Sequence, residues 1–401
     1  MADLAVIDVL LHDRRIGTLT NLPGERVLFA FDESYIGDAA RPTLSLSFKD
    51  RFGQIIADIA PTRVRLPSFF SNLLPEGAMR EYLARQAGVA SEREFFLLWA
   101  LGRDLPGALK IGGGGPPRPE DVKPRRRPAG NGDTLRFSLA GVQLKFSAVK
   151  EAGGGLTVPA EGVGGSWIVK LPSTVHAGVP ENEFTMMKLA RRIGIDVPET
   201  ALVKLAKIAG LPEGVEIAGR NAFAIRRFDR GPAGAVHMED FAQVFGVYPE
   251  QKYRKASYRS IAKVLWIETG ENGVEEFVRR LVFTALIGNG DMHLKNWSLV
   301  YPDGRRAALS PAYDFVSTIA YIRNDALALN FTDSKEFASL TIDEFVRFAA
   351  KAGLPEKLTL DTARETVSRF REAWRKRGDL VPPPVEKAIA AHLKALPLWQ
   401  S

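Results

Sequence analysis

At 401 residues and 44.0 kDa the chain exceeds a single small module, and 45% apolar with 25% charged residues excludes global disorder. Without a cysteine it forms neither disulfides nor thiolate metal sites, in keeping with a cytoplasmic address. The excess of 54 Lys and Arg over 47 Asp and Glu, formally +7, favours acidic partners such as nucleic acid or nucleotides.

The N-terminus Met1-Ala2-Asp3 lacks the basic start of a secretory leader. The longest apolar run, Phe95 to Leu101, falls far short of the roughly 18 residues of a membrane span. A soluble protein without membrane association is expected. Ala5 to Leu11 and Arg26 to Phe31 read as short strands around the turn-rich Asn21 to Gly24. Helices should follow from Pro75-Glu76-Gly77, with Met79, Leu83 and Ala87 on one face, and from Glu92 to Leu101. Glycine, proline and charge then mark a linker from Gly112 to Asp133. Its basic run Lys123-Pro124-Arg125-Arg126-Arg127 suits a solvated cluster or a phosphate contact.

Beyond the linker, Leu135 to Lys150 alternates around a break at Ala140-Gly141, and Ser166 to Leu171 is a compact strand. Glu181 to Ile193 changes to helical period and ends at Asp196-Val197-Pro198. Ala201 to Ala206 and Asn221 to Phe228 read as two more strands. From Met238 onward the pattern is mostly helical: Gly273 to Ile287, Thr341 to Ala352 with a Thr341/Glu344 capping box, Thr362 to Lys376, and Pro384 to Leu396. The five histidines, His12, His176, His237, His293 and His392, include no pair at helical zinc spacing.

The chemistry concentrates in Gly288-Asn289-Gly290-Asp291-Met292-His293-Leu294-Lys295-Asn296. An Asp and an Asn five positions apart in a loop can place a carboxylate beside a substrate hydroxyl and an amide oxygen on magnesium. Ser310-Pro311-Ala312-Tyr313-Asp314-Phe315 adds a second acid suited to another magnesium position. Turn and cap chemistry is the plainer account of each site alone. Upstream, Ser138 to Ser147 can form a lid whose small residues admit phosphates to the backbone, or an ordinary hairpin. Lys170, in the apolar strand Trp167 to Leu171, needs solvent or an anion, and Glu183 on the next helix could hold it.

Together these pieces resemble the HipA family of serine/threonine kinase toxins. The family's phosphate loop is similar to Ser138 to Lys145, its Ile-Lys-Leu-Pro strand to Val169 to Pro172, and its Asn-Glu helix start to Asn182-Glu183-Phe184. Arg227 to Arg230, Asp291 to Asn296 and Pro311 to Asp314 match its remaining motifs. Phe70 to Gly77 and Leu101 to Asp104 resemble its N-terminal subdomain.

The resemblance implies an α+β, HipA-like kinase fold, with a β-rich N-terminal subdomain and a kinase-like small lobe packed on an all-helical large lobe. The corresponding spans are 1–110, a linker at 111–133, 134–236 and 237–401. It implies ATP and Mg2+ as cofactors. ATP would be bound by Ser138, Ala140, Gly141, Val142, Gln143, Lys145, Lys170, the hinge Arg226-Arg227-Phe228, His293 and Lys295. Asp291 would be the catalytic base, Asn296 and Asp314 the magnesium ligands, Glu183 the group orienting Lys170, and Ser138 the site of autophosphorylation, with Ser147 a nearby alternative. The implied substrate is an aminoacyl-tRNA synthetase. The implied partner is a small helix-turn-helix antitoxin of the HipB type, which brings operator DNA.

Two departures stand out. Arg226 occupies the hinge position where members commonly carry a glutamate, and Leu144 stands where some carry an acid. A small-molecule phosphotransferase of the aminoglycoside or choline kinase type shares the Asp291 to Asn296 pattern. A catalytically silent corepressor is the rival from another class.

Overall fold

Ile7, Val9 and Leu11 alternate with more exposed neighbours along β1 (Ala5–Leu11), the period-2 pattern that turns one strand face into a core. The computed structural model describes residues 5–113, 144–151, 155–158, 164–211 and 219–400. Strand β1 joins β2 (Arg14–Leu22), β3 (Arg26–Phe31), β4 (Thr62–Arg63) and β5 (Leu109–Gly112) in an antiparallel sheet of order β4-β3-β2-β1-β5. Sequence alternation misses β2 because Ile16 and Gly17 are both buried where a bulge shifts its register between Val9 and Leu10. Gly17 suits that point, since a Cβ there would lie 2.3 Å from Ala30 O. Helices α1 (Glu33–Ile36), α2 (Ser68–Ser71), α3 (Gly77–Ala87) and α4 (Glu94–Leu101) accompany this sheet, whose core gathers Phe29, Phe69, Phe70, Phe95 and Phe96. Strand β5 runs into the stretch read as linker, and that linker beyond Gly113 lies outside the described residues.

A second sheet is built from β6 (Lys145–Lys150), β7 (Leu156–Thr157), β8 (Trp167–Lys170), β9 (Thr200–Lys204), β10 (Ile208–Ala209) and β11 (Asn221–Arg226), in the order β10-β7-β6-β8-β11-β9. Its two faces are covered differently. Trp167, Val169, Ala222 and Ala224 pack with Met79, Tyr82 and Leu83 of α3, whereas Phe223 and Ile225 share a core with Met186 and Met187 of α5 (Val179–Arg192). Lys145 and Lys170 are direct cross-strand partners, and Phe223 pairs with Lys170 on the other side. All three therefore stand on the face toward α5.

After the hairpin β12 (Arg230–Gly231) and β13 (Gly234–Ala235), the chain departs from an all-helical large lobe. Strands β14 (His237–Asp240), β15 (Ser298–Tyr301) and β16 (Ala308–Leu309) make a small antiparallel sheet. Every residue of β15 is buried, which erases the alternation that marks a strand in sequence. The helices of this lobe are α6 (Phe241–Val244), α7 (Tyr258–Leu286), α8 (Ile342–Ala352), α9 (Glu356–Arg375), α10 (Pro383–Ala395) and α11 (Pro397–Gln400), and residues 310–341 between β16 and α8 are irregular apart from two short 3-10 turns. Helix α7 begins well before the expected Gly273. Ser257 caps it by accepting from the Ser260 N–H, and its two runs meet at Gly270, where φ is +64°. Helix α9 likewise starts at Glu356, ahead of Thr362. At the start of α8, Thr341 accepts from the Glu344 N–H at 3.1 Å, but the reciprocal half of the capping box is not made. The Glu344 carboxylate instead receives the Thr332 hydroxyl and approaches Arg347. Among the described residues no helix is long and apolar enough to cross a membrane.

Candidate active site

Helix α7 delivers the polar loop. Its end turns at Gly288, with φ +61°, where any Cβ would meet the Ile319 side chain at 2.4 Å. Asn289, fully buried, accepts from the Asp291 N–H at 3.0 Å and donates to Asp314 O at 3.4 Å, tying the two acidic segments together. The Gly290 N–H donates to Thr318 Oγ1 at 2.7 Å, and Asn296 Nδ2 donates to Asp291 O at 2.8 Å. The loop is thus held by its own amides.

The Asp291 carboxylate accepts the Tyr253 hydroxyl. Burial raises the Asp291 pKa, against the Tyr253 hydrogen bond and the Lys252 ammonium, which lower it. His293 is buried with its ring edge-on to Tyr253 at 4.9 Å, and its Nδ1 has no partner. Burial, with Lys252 nearby, holds it well below the usual imidazole range, so it is neutral near pH 7.

Lys170 supplies the opposing wall. Its ammonium bonds Glu183 Oε1 at 2.6 Å and also reaches Asp314 Oδ1. Glu183 is fully buried with Oε2 unpartnered, and burial raises its pKa against the pull of Lys170. Asp314 holds a left-handed backbone, φ +58°, a conformation that non-glycine residues adopt at a cost. Tyr313 beside it donates to Lys295 O at 2.9 Å, which locks this segment against the Asp291 loop. Lys145 sits across from Lys170, exposed and without a carboxylate partner among the described residues.

Ion pairs, hydrogen bonds and strand pairing therefore link Asp291, Asn296, Asp314, Lys170, Glu183 and Lys145 between the second sheet and the end of α7. Other expected residues lie differently. Ser138, Ala140, Gly141, Val142 and Gln143 fall outside the described residues. The Lys295 ammonium turns to Glu76 Oε1 at 2.8 Å and Asn72 O at 3.1 Å instead of joining Lys170. At the hinge, Arg226 is exposed and Phe228 lies 5.7 Å from the Tyr313 ring. The Arg227 guanidinium is not available to a nucleotide. It is buried against Asp104 and Asp229, both at 2.9 Å, and Arg230 binds the same two acids. Sequence reasoning missed Glu76, Lys252 and Tyr253 as neighbours of the loop. Glu76 stood inside a quoted motif, but neither Lys252 nor Tyr253 carries a local signal.

Comparisons with known proteins identify the family. Residues 7–112 match the HipA N-terminal domain, and residues 137–374 match the HipA-like C-terminal domain. A putative kinase, Y4dM, of Sinorhizobium fredii is 56% identical over 409 residues, spanning 100% of this chain and 99% of that protein. The chain belongs to the HipA family. It is an enzyme of the kinase class, as its relatives are named. The serine/threonine-protein kinase toxin HipA of Shewanella oneidensis is 27% identical over 375 residues, covering 83% of this chain and 82% of that protein. In solved form, the Shewanella oneidensis MR-1 HipA, HipB and operator DNA complex gives a TM-score of 0.73 at 23% identity, over 98% of this chain and 96% of that one, a likeness of fold.

Proposed function

We propose that this HipA-family enzyme transfers the γ-phosphoryl group of ATP to a protein serine or threonine, with magnesium, as the toxin of a toxin–antitoxin pair. The carrying observation is the junction of Lys170 with both Glu183 and Asp314 opposite the Asp291 to Asn296 loop. In phosphoryl transfer, positioning and charge do most of the work, and these groups supply both. Lys170, steadied by the buried Glu183, offers its ammonium to phosphate oxygens, and Lys145 adds a second cation on the same sheet face.

The residues present fit a magnesium–ATP complex. Asp314 and Asn296 provide two oxygen donors on segments fixed to each other through Tyr313 and Asn289. Magnesium is commonly held by one or two protein oxygens plus substrate phosphates. When bound, the ion neutralises charge on the transferring group. Asp291 accepts the substrate hydroxyl proton, once its carboxylate exchanges the Tyr253 hydroxyl for the substrate's. An aminoacyl-tRNA synthetase is the proposed substrate and a HipB-like helix-turn-helix protein, bound to operator DNA, the proposed partner. The Shewanella complex, which holds HipA with HipB and DNA, supports the second of these.

The test is phosphate transfer from labelled ATP with magnesium, read on the protein itself and on candidate synthetases. Asp291→Asn and Asp314→Asn should each lose activity by roughly 100-fold or more while remaining folded. Mass spectrometry should find wild-type phosphate on Ser138, absent in Asp291→Asn. Near wild-type transfer by either folded variant refutes the assignment.

A further inference from the structure

Glu76 introduces helix α3 of the N-terminal segment, yet its side chain makes no cap bond there. It projects across the molecule. Oε2 lies 2.8 Å from Lys252 Nζ and Oε1 lies 2.8 Å from Lys295 Nζ, with the lysine side chains only 12% and 15% exposed. Each lysine leads within one residue to a group that touches Asp291. Tyr253, next to Lys252, donates to the Asp291 carboxylate; Asn296, next to Lys295, donates to Asp291 O at 2.8 Å. The two lysine segments also meet directly, since the Leu294 N–H donates to Lys252 O at 3.3 Å. Asn72, from the same N-terminal segment, adds its carbonyl to Lys295 and its amide to Val247 O at 2.7 Å. Burial pushes the Glu76 pKa up, but Lys295 and Lys252 together bring it down to about 2, so the clamp is ionised near neutral pH.

We propose that Glu76 is a positioning residue for phosphoryl transfer: it grips Lys252 and Lys295 at once and thereby sets the Asp291 loop from both sides. The N-terminal segment is then part of the catalytic apparatus, and catalysis depends on its seating. This rests on the kinase reading above. The clamp itself, however, has a readout without turnover.

In the full chain without nucleotide, hydrogen exchange at the His293, Leu294 and Asn296 amides reports loop order, because each donates to a backbone carbonyl of this region. Glu76→Gln should raise exchange there by roughly tenfold while α9 is unchanged. In turnover, kcat should fall on the order of 100-fold, as for a small misplacement of a reacting group, with the ATP KM within about twofold of wild type. Glu76→Asp, which keeps the charge, should recover part of kcat. If Glu76→Gln does not fold, Lys252→Met removes one arm and must loosen the same amides. Unchanged loop exchange overturns the proposal, as does a rise spread through α9, which would make Glu76 merely structural. Wild-type protein without phosphate transfer defeats the kinase reading, while exchange still decides the clamp.

Discussion

The buried carboxyl of Glu239 makes stability depend on pH in a way that one isosteric change should remove. Glu239 lies on β14 with no exposed surface, and accepts from Ser45 Oγ at 2.5 Å, the Leu46 N–H at 3.0 Å and Tyr301 Oη at 2.5 Å. Burial pushes its pKa up from 4.5 to about 7, although the three donors pull the other way. The folded value lies above the unfolded one. The corresponding stabilisation is therefore complete below about pH 4.5 and is lost as pH rises through about 7. A rise from 4.5 to about 7 is worth about 3 kcal/mol. Glu239→Gln carries no charge at any pH. Its Oε1 can keep the Leu46 and Tyr301 bonds, while Ser45 turns its proton to Ser47 Oγ, 2.8 Å away, and accepts from the new amide. Urea unfolding between pH 5 and 9 should show the variant gaining on wild type as pH rises, by up to about 3 kcal/mol above pH 8. A difference that is constant with pH, or a variant that loses ground at high pH, refutes the reasoning.

Lys170→Met should weaken ATP binding by roughly 10- to 100-fold, the worth of a charged hydrogen bond, and lower kcat with it. Calorimetry with ATP and a transfer assay check this, and unchanged affinity would make Lys170 an ordinary strand residue. Arg227→Met should destabilise by about 3–5 kcal/mol, because it leaves Asp104 and Asp229 buried with fewer counter-charges. The exposed neighbour change Arg226→Met should stay within about 0.5 kcal/mol in the same unfolding assay, and equal effects would sink the ion-network account.

What the sequence made legible was short in range. Asp291 and Asn296 share one loop, and Lys170 and Glu183 lie thirteen positions apart on consecutive elements, a strand end and the helix that follows, so the order known from kinases could pair them. The missed contacts span the chain: Glu76 meets Lys252 across 176 positions, and Arg227 meets Asp104 across 123. No periodicity records such a pairing. Fully buried β15 hid for a related reason, because a strand covered on both faces shows no alternation. The Arg227 to Arg230 motif is the instructive case. Read locally, it is a strand end beside a nucleotide. In the fold, Arg227, Asp229 and Arg230 interlock with Asp104 and with the Leu105 and Gly107 carbonyls, all from the N-terminal segment. Asp104 belongs to the other stretch, Leu101 to Asp104, that resembles the family's N-terminal subdomain. Two motifs that look independent along the chain are the two halves of one buried ion network. The same holds for Glu76 and the Asp291 loop. In this protein, short motifs mark where distant segments dock as well as where a ligand would bind.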